Sequence, residues 1–174
     1  FDSTSVISQV NQNRDIRVDT LFQKVFKKAL EVSTETNGAY DVTCAPLINL
    51  WGFGFSRKDS VTPAHIDSVR QFIGFQKVRL EGDRIVKDDP RLMMNFSSLA
   101  DGTVCDMIAQ MLEKKGVRNY LVEFGGEMRV KGVNPMGVDW RLGIAKPIDD
   151  ADGMNQEWEQ VVSFPRPLGM ATSG

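Results

Sequence analysis

The chain has 174 residues, of which 41% are hydrophobic and 25% charged, so it is long enough for one domain with its own core, and its composition argues against disorder. Its formal net charge of −2 provides no basic surface, which argues against nucleic acid and anionic membranes as partners. The two cysteines, Cys44 and Cys105, are too few for a zinc site or a disulfide framework, and we expect two buried, reduced thiols.

The first predicted elements are helical. Apolar residues recur at three- and four-residue steps from Val18 to Leu30, which predicts an amphipathic helix that Gly38 ends. Residues 40–51, which include Val42, Thr43 and Ile48, predict extended or buried chain, while Pro46 excludes a regular central strand. The pair Thr62–Pro63 predicts the start of a second helix, with the threonine as its N-cap.

Strands dominate the predicted second half. Residues 76–87 alternate around Gly82–Asp83, which predicts a hairpin, and a third helix is predicted from Gly102 to Lys115. Further strands are predicted at 119–124, 127–132, 140–147 and 158–164. Because helices come early and strands cluster late, we predict an α+β domain with a largely antiparallel sheet. No run of 18 apolar residues occurs, so we expect a soluble chain.

The segment NFSSLADGTVCD, residues 95–106, is the first candidate site. It runs through small and hydroxyl residues into the helix predicted at Gly102, whose free N–H groups and positive dipole end would attract an anion such as phosphate. A simpler reading remains open, in which Ser97, Ser98 or Asp101 merely caps that helix.

The paired glycines Gly125–Gly126 form the second candidate. Between two strands they predict a tight turn, and they would equally let a bulky ligand approach the backbone. The single histidine, His65, fits a surface position, and no Ser-His-Asp order or Walker-type glycine loop occurs. The motifs of classical hydrolases and kinases are therefore missing from this sequence, and we assign no catalytic residue.

Taken together and in order, these segments resemble the ApbE family of FAD:protein FMN transferases over essentially the whole chain. The family pattern TxGAFDxTVGPLVxLWGFG is matched by TNGAYDVTCAPLINLWGFG at 36–54, and DLSAIAKGYAVD is matched by NFSSLADGTVCD. The pattern NYLVDIGGEIRAKG is matched by NYLVEFGGEMRVKG at 119–132, and SEISRFN is similar to TSVISQVN at 4–11. The stretches WRLGIAKP and ATSG also fall where the family would have them.

The resemblance implies a T-fold-like α+β domain, with a mainly antiparallel sheet packed with helices, formed by residues 1–174 as the N-terminal two thirds of a family member. It implies a protein that binds FAD and, with magnesium, links FMN through a phosphoester to a threonine or serine of an acceptor protein, releasing AMP. Two alternatives remain: a module that binds flavin or another nucleotide without turnover, and a magnesium-dependent FAD pyrophosphatase that yields FMN and AMP.

The resemblance also assigns site residues. The positions matching the family's FAD contacts are Ala39, Tyr40, Asp41, Asn95 and Asp101. Ser98 matches the residue that offers a backbone oxygen to magnesium, and Gly125 and Gly126 match the family's glycine pair, which suits close backbone approach. The Trp51 segment is expected to pack behind the Ala39–Asp41 turn as scaffold.

Two positions depart from the family pattern. The family usually has Asp where this chain has Asn95, which removes a carboxylate, and Lys or Glu where it has Asp101, which reverses a charge or shortens the side chain. The family's His-containing segment and its D-x-x-x-[TD] magnesium motif come after the matched stretch, so we expect the main metal carboxylates outside this chain.

The family further implies partners and a location. The partners are FAD and an acceptor flavoprotein subunit, with no nucleic acid. The location is the bacterial cell envelope, on the periplasmic or extracytoplasmic face, with membrane contact only through a lipidated N-terminal cysteine that this chain does not contain.

Overall fold

The computed structural model describes residues 2–54, 61–146 and 157–172. The helices are α1 (Val6–Asn11), α2 (Thr20–Glu35), α3 (Ala45–Leu50), α4 (Pro63–Arg70) and α5 (Ser97–Lys114), with a 3-10 turn at Phe75–Lys77. The strands are β1 (Val78–Glu81), β2 (Arg84–Lys87), β3 (Tyr120–Phe124), β4 (Glu127–Lys131), β5 (Trp140–Ala145), β6 (Trp158–Phe164) and β7 (Leu168–Ala171). These strands pair antiparallel, which confirms the predicted α+β class. Pro147 and the final Ser173–Gly174 of the matched motifs lie outside the described residues.

The chain divides into two compact units, Phe1–Leu99 and Ala100–Gly174. No helix in the described ranges is both long enough and apolar enough to cross a membrane. The prediction of a single domain stays a prediction.

Helix α2 provides the core of the first unit, as its periodicity predicts. The Asp19 carboxylate caps it by accepting a hydrogen bond from the Phe22 N–H at 2.7 Å. The apolar stripe then buries Phe22, Phe26 and Ala29 against residues from the 78–94 region. The helix ends one residue before Thr36, and Gly38 follows with φ of +81°.

Helix α3 corrects the extended half of the prediction for residues 40–51, whereas the burial it also allowed is confirmed at Val42, Thr43 and Ala45. Residues Ala45–Leu50 are helical, and Pro46 lies in the first turn of the helix. A proline in that position costs no hydrogen bond, since the first helical N–H groups have no helical partner, and its fixed φ suits the helix. For α4 the prediction is confirmed, because the Thr62 hydroxyl accepts from the His65 N–H at 3.2 Å.

The predicted hairpin at 76–87 is also confirmed, with Val78 opposite Lys87 and Glu81 opposite Arg84. Gly82 begins its two-residue turn with φ of +62°, a conformation that glycine adopts without a Cβ penalty. The turn is further fixed by the Val18 N–H, which donates to the Asp83 carbonyl at 2.8 Å.

The loop after this hairpin contains a bidentate ion pair with a testable pH dependence. Arg91 donates to Asp89 through Nε at 3.0 Å and Nη2 at 2.7 Å, and its backbone N–H adds a third bond at 2.8 Å. These hydrogen bonds lower the pKa of Asp89 from 3.8 to about 2. Because the folded pKa lies below the unfolded one, the pair stabilises the fold fully above about pH 4, and this contribution is lost as pH falls toward 2.

We therefore expect an NMR titration of the Asp89 carboxyl to give a pKa of about 2, and the Arg91→Ala variant to raise this pKa only part of the way toward 3.8, because the backbone N–H of residue 91 still donates to the carboxylate. Arg17→Ala is the control, because Arg17 pairs with Asp83 instead. An ordinary Asp89 pKa in the unsubstituted protein would contradict the pairing.

In the second unit α5 packs against a three-stranded sheet of order β3-β4-β7. The helix buries Cys105 and Ala109 against Tyr120 and Val122 of β3. Strands β5 and β6 form a separate two-stranded sheet. The predicted strands at 119–124, 127–132, 140–147 and 158–164 correspond to β3, β4, β5 and β6, whereas β7 was not predicted.

Candidate functional site

A cavity of about 390 Å³ in the first unit is the candidate binding site. Its described lining residues are Tyr40, Asp41, Cys44, Ile48, Phe53, Gly54, Asn95, Ser97 and Ser98. The volume lies within the range of small-molecule pockets, and the mixture of apolar walls with a few polar groups is typical of them. Four predicted site residues therefore meet here, namely Tyr40, Asp41, Asn95 and Ser98.

The turn that carries Tyr40 follows directly from the end of α2. Asn37 and Gly38 adopt positive φ values of 51° and 81°, which reverse the chain after the helix. The Ala39 N–H then donates to the Thr36 carbonyl at 3.1 Å, and the Tyr40 N–H donates to the Thr36 hydroxyl at the same distance. Ala39 lies in this turn but is not among the described lining residues.

Asp41 lines the cavity and also anchors the turn. Its Oδ1 accepts from the Thr43 N–H at 2.8 Å and from the Thr43 hydroxyl at 2.6 Å, and its Oδ2 accepts from the Phe75 N–H at 3.0 Å. A carboxylate has about four acceptor positions, so these contacts leave one of them for a ligand.

Asn95 connects this turn to α5. Its backbone N–H donates to the Val42 carbonyl at 2.9 Å, and its side-chain oxygen accepts from the Ser97 N–H at 2.7 Å. Helix α5 thus begins at Ser97 rather than near Gly102, so that part of the prediction is wrong. The reason is packing, since Leu99 contacts the core of the first unit and extends the helix beyond the apolar period.

The early start also changes which residue caps α5. Asn95 supplies the side-chain acceptor, and Asp101 lies inside the helix. The Ser98 hydroxyl donates to the Tyr40 hydroxyl at 3.4 Å, which joins the two sides of the cavity. Burial raises the pKa of Tyr40, although the Ser98 hydrogen bond opposes this shift.

The two thiols have different environments. Cys105 is buried as expected, whereas Cys44 is only partly buried and lines the cavity. Burial, and secondly the charge of Asp41, raise the pKa of Cys44 and keep it a neutral thiol. Over the described ranges, no group of three or more His, Cys, Asp or Glu side chains is arranged to hold a metal ion.

The two aromatic residues after α3 differ in exposure. Trp51 is 46% exposed and Phe53 is 83% exposed, and the scaffold role of the Trp51 segment stays a prediction. Phe53 nevertheless lines the cavity, where an exposed ring is available to cover a planar ligand.

The remaining predicted residues, Asp101, Gly125 and Gly126, lie together in the second unit. The glycines form the β3–β4 turn with φ of +64° and +97°, which confirms the tight turn. A Cβ at Gly125 would lie 2.8 Å from Asp101 Oδ2, and one at Gly126 would lie 2.9 Å from the Thr172 hydroxyl. Protein side chains thus already approach both glycines closely.

This geometry predicts the effect of a single methyl group. Gly125→Ala is expected to destabilise the protein by at most about 1 kcal/mol more than Gly82→Ala, because the new Cβ would lie 2.8 Å from Asp101 Oδ2 and the flexible carboxylate must move aside, at the low end of the roughly 1–3 kcal/mol that overpacking costs. Gly82 is a matched control, since it begins the other two-residue hairpin turn with nearly the same φ and has no atom within 4 Å of the added Cβ. Urea unfolding measures the difference.

Truncating Asp101 to alanine should remove the excess cost of Gly125→Ala in a double-mutant cycle. Equal losses for the two single glycine variants would show that the Asp101 contact has no energetic weight.

Sequence reasoning missed three features of the site. Cys44 was read only as a core thiol, and the Thr43 and Phe75 contacts of Asp41 were not predicted. An Asp followed two residues later by Thr is typical of a local side-chain turn, which was the available signal for Thr43. The Phe75 contact uses a backbone N–H, which any residue type provides.

The α+β fold places a cavity of small-molecule size beside the start of helix α5. The sequence model of the ApbE family matches residues 1–174, and the chain belongs to the ApbE family.

Curated relatives and solved structures agree with this membership. The FAD:protein FMN transferase of Vibrio cholerae is 37% identical over 179 residues, which cover 100% of this chain and 52% of the relative. That of Haemophilus influenzae is 33% identical over 184 residues, with the same coverage of 100% and 52%. The structure of flavin transferase ApbE from Vibrio cholerae aligns with a TM-score of 0.82 at 36% identity, covering 100% of this chain and 56% of that one.

The Thermotoga maritima ApbE protein shares the fold, with a TM-score of 0.83 at 22% identity over 100% of this chain and 56% of that one. The chain spans about half the length of the curated relatives it matches.

Proposed function

We propose that the protein acts as an FAD:protein FMN transferase, which attaches FMN through a phosphoester to a threonine or serine of an acceptor flavoprotein. One observation carries the proposal: Tyr40, Asp41, Asn95 and Ser98, which match the family's flavin and metal contacts, line one cavity of about 390 Å³. The names of the relatives support the same activity.

The cavity has features that suit a flavin dinucleotide. Tyr40, Ile48 and Phe53 give it apolar and aromatic walls, which favour a planar ring system. Ser97 and Ser98 form the first turn of the 18-residue helix α5, where the positive end of the helix dipole favours phosphate oxygens. The Ser97 N–H already donates to Asn95 Oδ1 and the Leu99 N–H to the Phe96 carbonyl, so the attraction comes from the dipole more than from free donors. The same cavity thus offers apolar surface for a ring and a helix N-terminus for an anion.

The reaction itself requires positioning more than covalent catalysis. The acceptor hydroxyl oxygen attacks the phosphorus of the FMN half, the bond to the bridging oxygen breaks, and AMP leaves with that oxygen. The hydroxyl proton passes to a base that we do not assign. The protein's part is to hold the diphosphate in line with the incoming oxygen and to exclude water from the competing hydrolysis.

We include magnesium in the proposed reaction because the negative charge of a bound diphosphate must be neutralised. None of the described lining residues is a lysine or arginine, so a bound diphosphate needs another cation, and magnesium binds phosphate oxygens while keeping several waters. The described residues alone do not build that site, because they contain no cluster of three metal-binding side chains. Ser98 is the second residue of α5, and in the first turn of a helix the carbonyl oxygens have helical partners whereas the N–H groups lack them. A magnesium ion bound to the Ser98 carbonyl would therefore share that oxygen with a helical hydrogen bond.

The test is incubation of the protein with FAD, magnesium and an acceptor that carries the target threonine. We expect a fluorescent acceptor band on a denaturing gel and equimolar AMP, both abolished by EDTA. An acceptor with valine in place of that threonine is the control. A folded protein that gives no band with a suitable acceptor would contradict the transferase.

The same assay separates the two alternatives. The departures at Asn95 and Asp101 favour a binding module, which would bind FAD and release no AMP. A pyrophosphatase would release AMP in the presence of magnesium and absence of acceptor.

We further infer that the protein works at the extracytoplasmic face of the bacterial envelope, held by a lipid anchor, where an acceptor subunit would meet it. Cell fractionation with and without detergent tests this location. Recovery in the cytoplasmic fraction would contradict it.

A further inference from the structure

Thr43 is a fully buried polar residue next to the candidate cavity, with 0% exposure. Its hydroxyl accepts a hydrogen bond from the Gly74 N–H at 2.8 Å and donates one to Asp41 Oδ1 at 2.6 Å. The direction is fixed, because a backbone N–H only donates and the hydroxyl has a single proton to give. Its own N–H also donates to Asp41 Oδ1, at 2.8 Å.

The other oxygen of Asp41 is held by the same segment that orients Thr43. The Phe75 N–H donates to Oδ2 at 3.0 Å, directly after the Gly74 N–H that binds Thr43. Gly74 has φ of +142°, a conformation that favours glycine, and this presents the two successive N–H groups to Thr43 and Asp41. The carboxylate is therefore fixed from both sides and retains about one open acceptor position, on Oδ2.

We propose that Thr43 is a positioning residue, which orients the Asp41 carboxylate so that its open acceptor takes one hydrogen-bond donor of the ligand. This inference rests on the proposed function and specifies how the dinucleotide lies. Asp41 is the one charged side chain among the described lining residues, and it repels phosphate. A donor-bearing part, either the ribityl–flavin half or the adenosine half, therefore faces Asp41, and the diphosphate faces the start of α5.

The test compares Thr43→Val, which removes the hydroxyl, with Thr43→Ser, which keeps it. The probes are FAD, riboflavin, adenosine and inorganic pyrophosphate with magnesium, titrated separately by calorimetry. Thr43→Val is expected to weaken the affinity for FAD about tenfold, as the loss of a hydrogen bond to a charged group predicts. Thr43→Ser should weaken that affinity less than about threefold.

The separate probes distinguish positioning from general damage to the cavity. Thr43→Val should weaken the binding of riboflavin or of adenosine, while the affinity for pyrophosphate stays unchanged. The probe whose binding weakens identifies the half of FAD that faces Asp41. If Thr43→Val weakened the affinity for pyrophosphate by the same factor, Thr43 would have only a structural role and the inference would be overturned. Should Thr43→Val fail to fold, Asp41→Asn replaces it: this variant loses the open acceptor and the negative charge, so it should weaken the binding of riboflavin or adenosine while pyrophosphate binds equally well or more tightly.

Failure of the proposed function would look different. Unsubstituted protein that binds none of the four probes overturns the proposed function and this inference with it. Unsubstituted protein that binds FAD, beside a folded Thr43→Val that binds it equally well, overturns the inference alone.

Discussion

Replacing Ser98 by tryptophan is expected to weaken FAD binding on the order of tenfold to a hundredfold. Ser98 lines the cavity, and its hydroxyl lies 3.4 Å from that of Tyr40, so an indole ring there competes with the ligand for the same space. Overpacking costs roughly 1–3 kcal/mol, and each 1.4 kcal/mol is about tenfold in affinity. Quenching of flavin fluorescence on titration measures the change.

Met107→Trp is the matched control for this substitution. Met107 lies on the same helix, is 45% exposed and is not among the described lining residues, so its variant should bind FAD as the unsubstituted protein does. Circular dichroism confirms that both variants fold. Unchanged FAD affinity in a folded Ser98→Trp variant would show that the ligand binds elsewhere.

Phe26→Ala is expected to destabilise the protein by about 3–5 kcal/mol, the usual cost of truncating a buried phenylalanine. Phe26 is 0% exposed at the centre of the first unit's core, where α2 meets Val42, Leu92 and Met94. Those neighbours belong to the chain segments that bring Asp41 and Asn95 to the cavity, so the truncation should also weaken FAD binding. Denaturant unfolding measures the first effect.

Leu21→Ala is the control on the same helix. Leu21 is 43% exposed, so its truncation should change the free energy of unfolding by only about 0.5 kcal/mol. Equal losses for the two variants would mean that the α2 face toward Phe26 is not the core.

The elements predicted correctly are those whose local signals agree with their packing. Helix α2 has its cap, its apolar period and its terminating glycine in one stretch, and the β1–β2 hairpin has alternation around Gly82. Two of the errors come from competing signals. Residues 45–50 follow Val42 and Thr43, which favour extended chain, but contain a proline compatible with the first turn of a helix. The start of α5 depends on the tertiary contact of Leu99.

The sequence predicts those parts of the candidate site that depend on the identity of a side chain. Motif matching found Tyr40, Asp41, Asn95 and Ser98, and the fold brings them to one cavity. The contact between Asp41 and the Phe75 N–H joins residues far apart in sequence through a backbone group, which no composition or spacing indicates. Gly125 and Gly126 were assigned to close backbone approach, and the structure shows Asp101 and Thr172 as the side chains that approach them.

A crystal of the protein soaked with FAD would show where the dinucleotide binds. We expect density for it in the cavity, with a ring beside Tyr40 and Phe53 and the diphosphate at the first turn of α5. FAD bound at another surface, with the cavity between Asp41 and Ser98 empty, would contradict it.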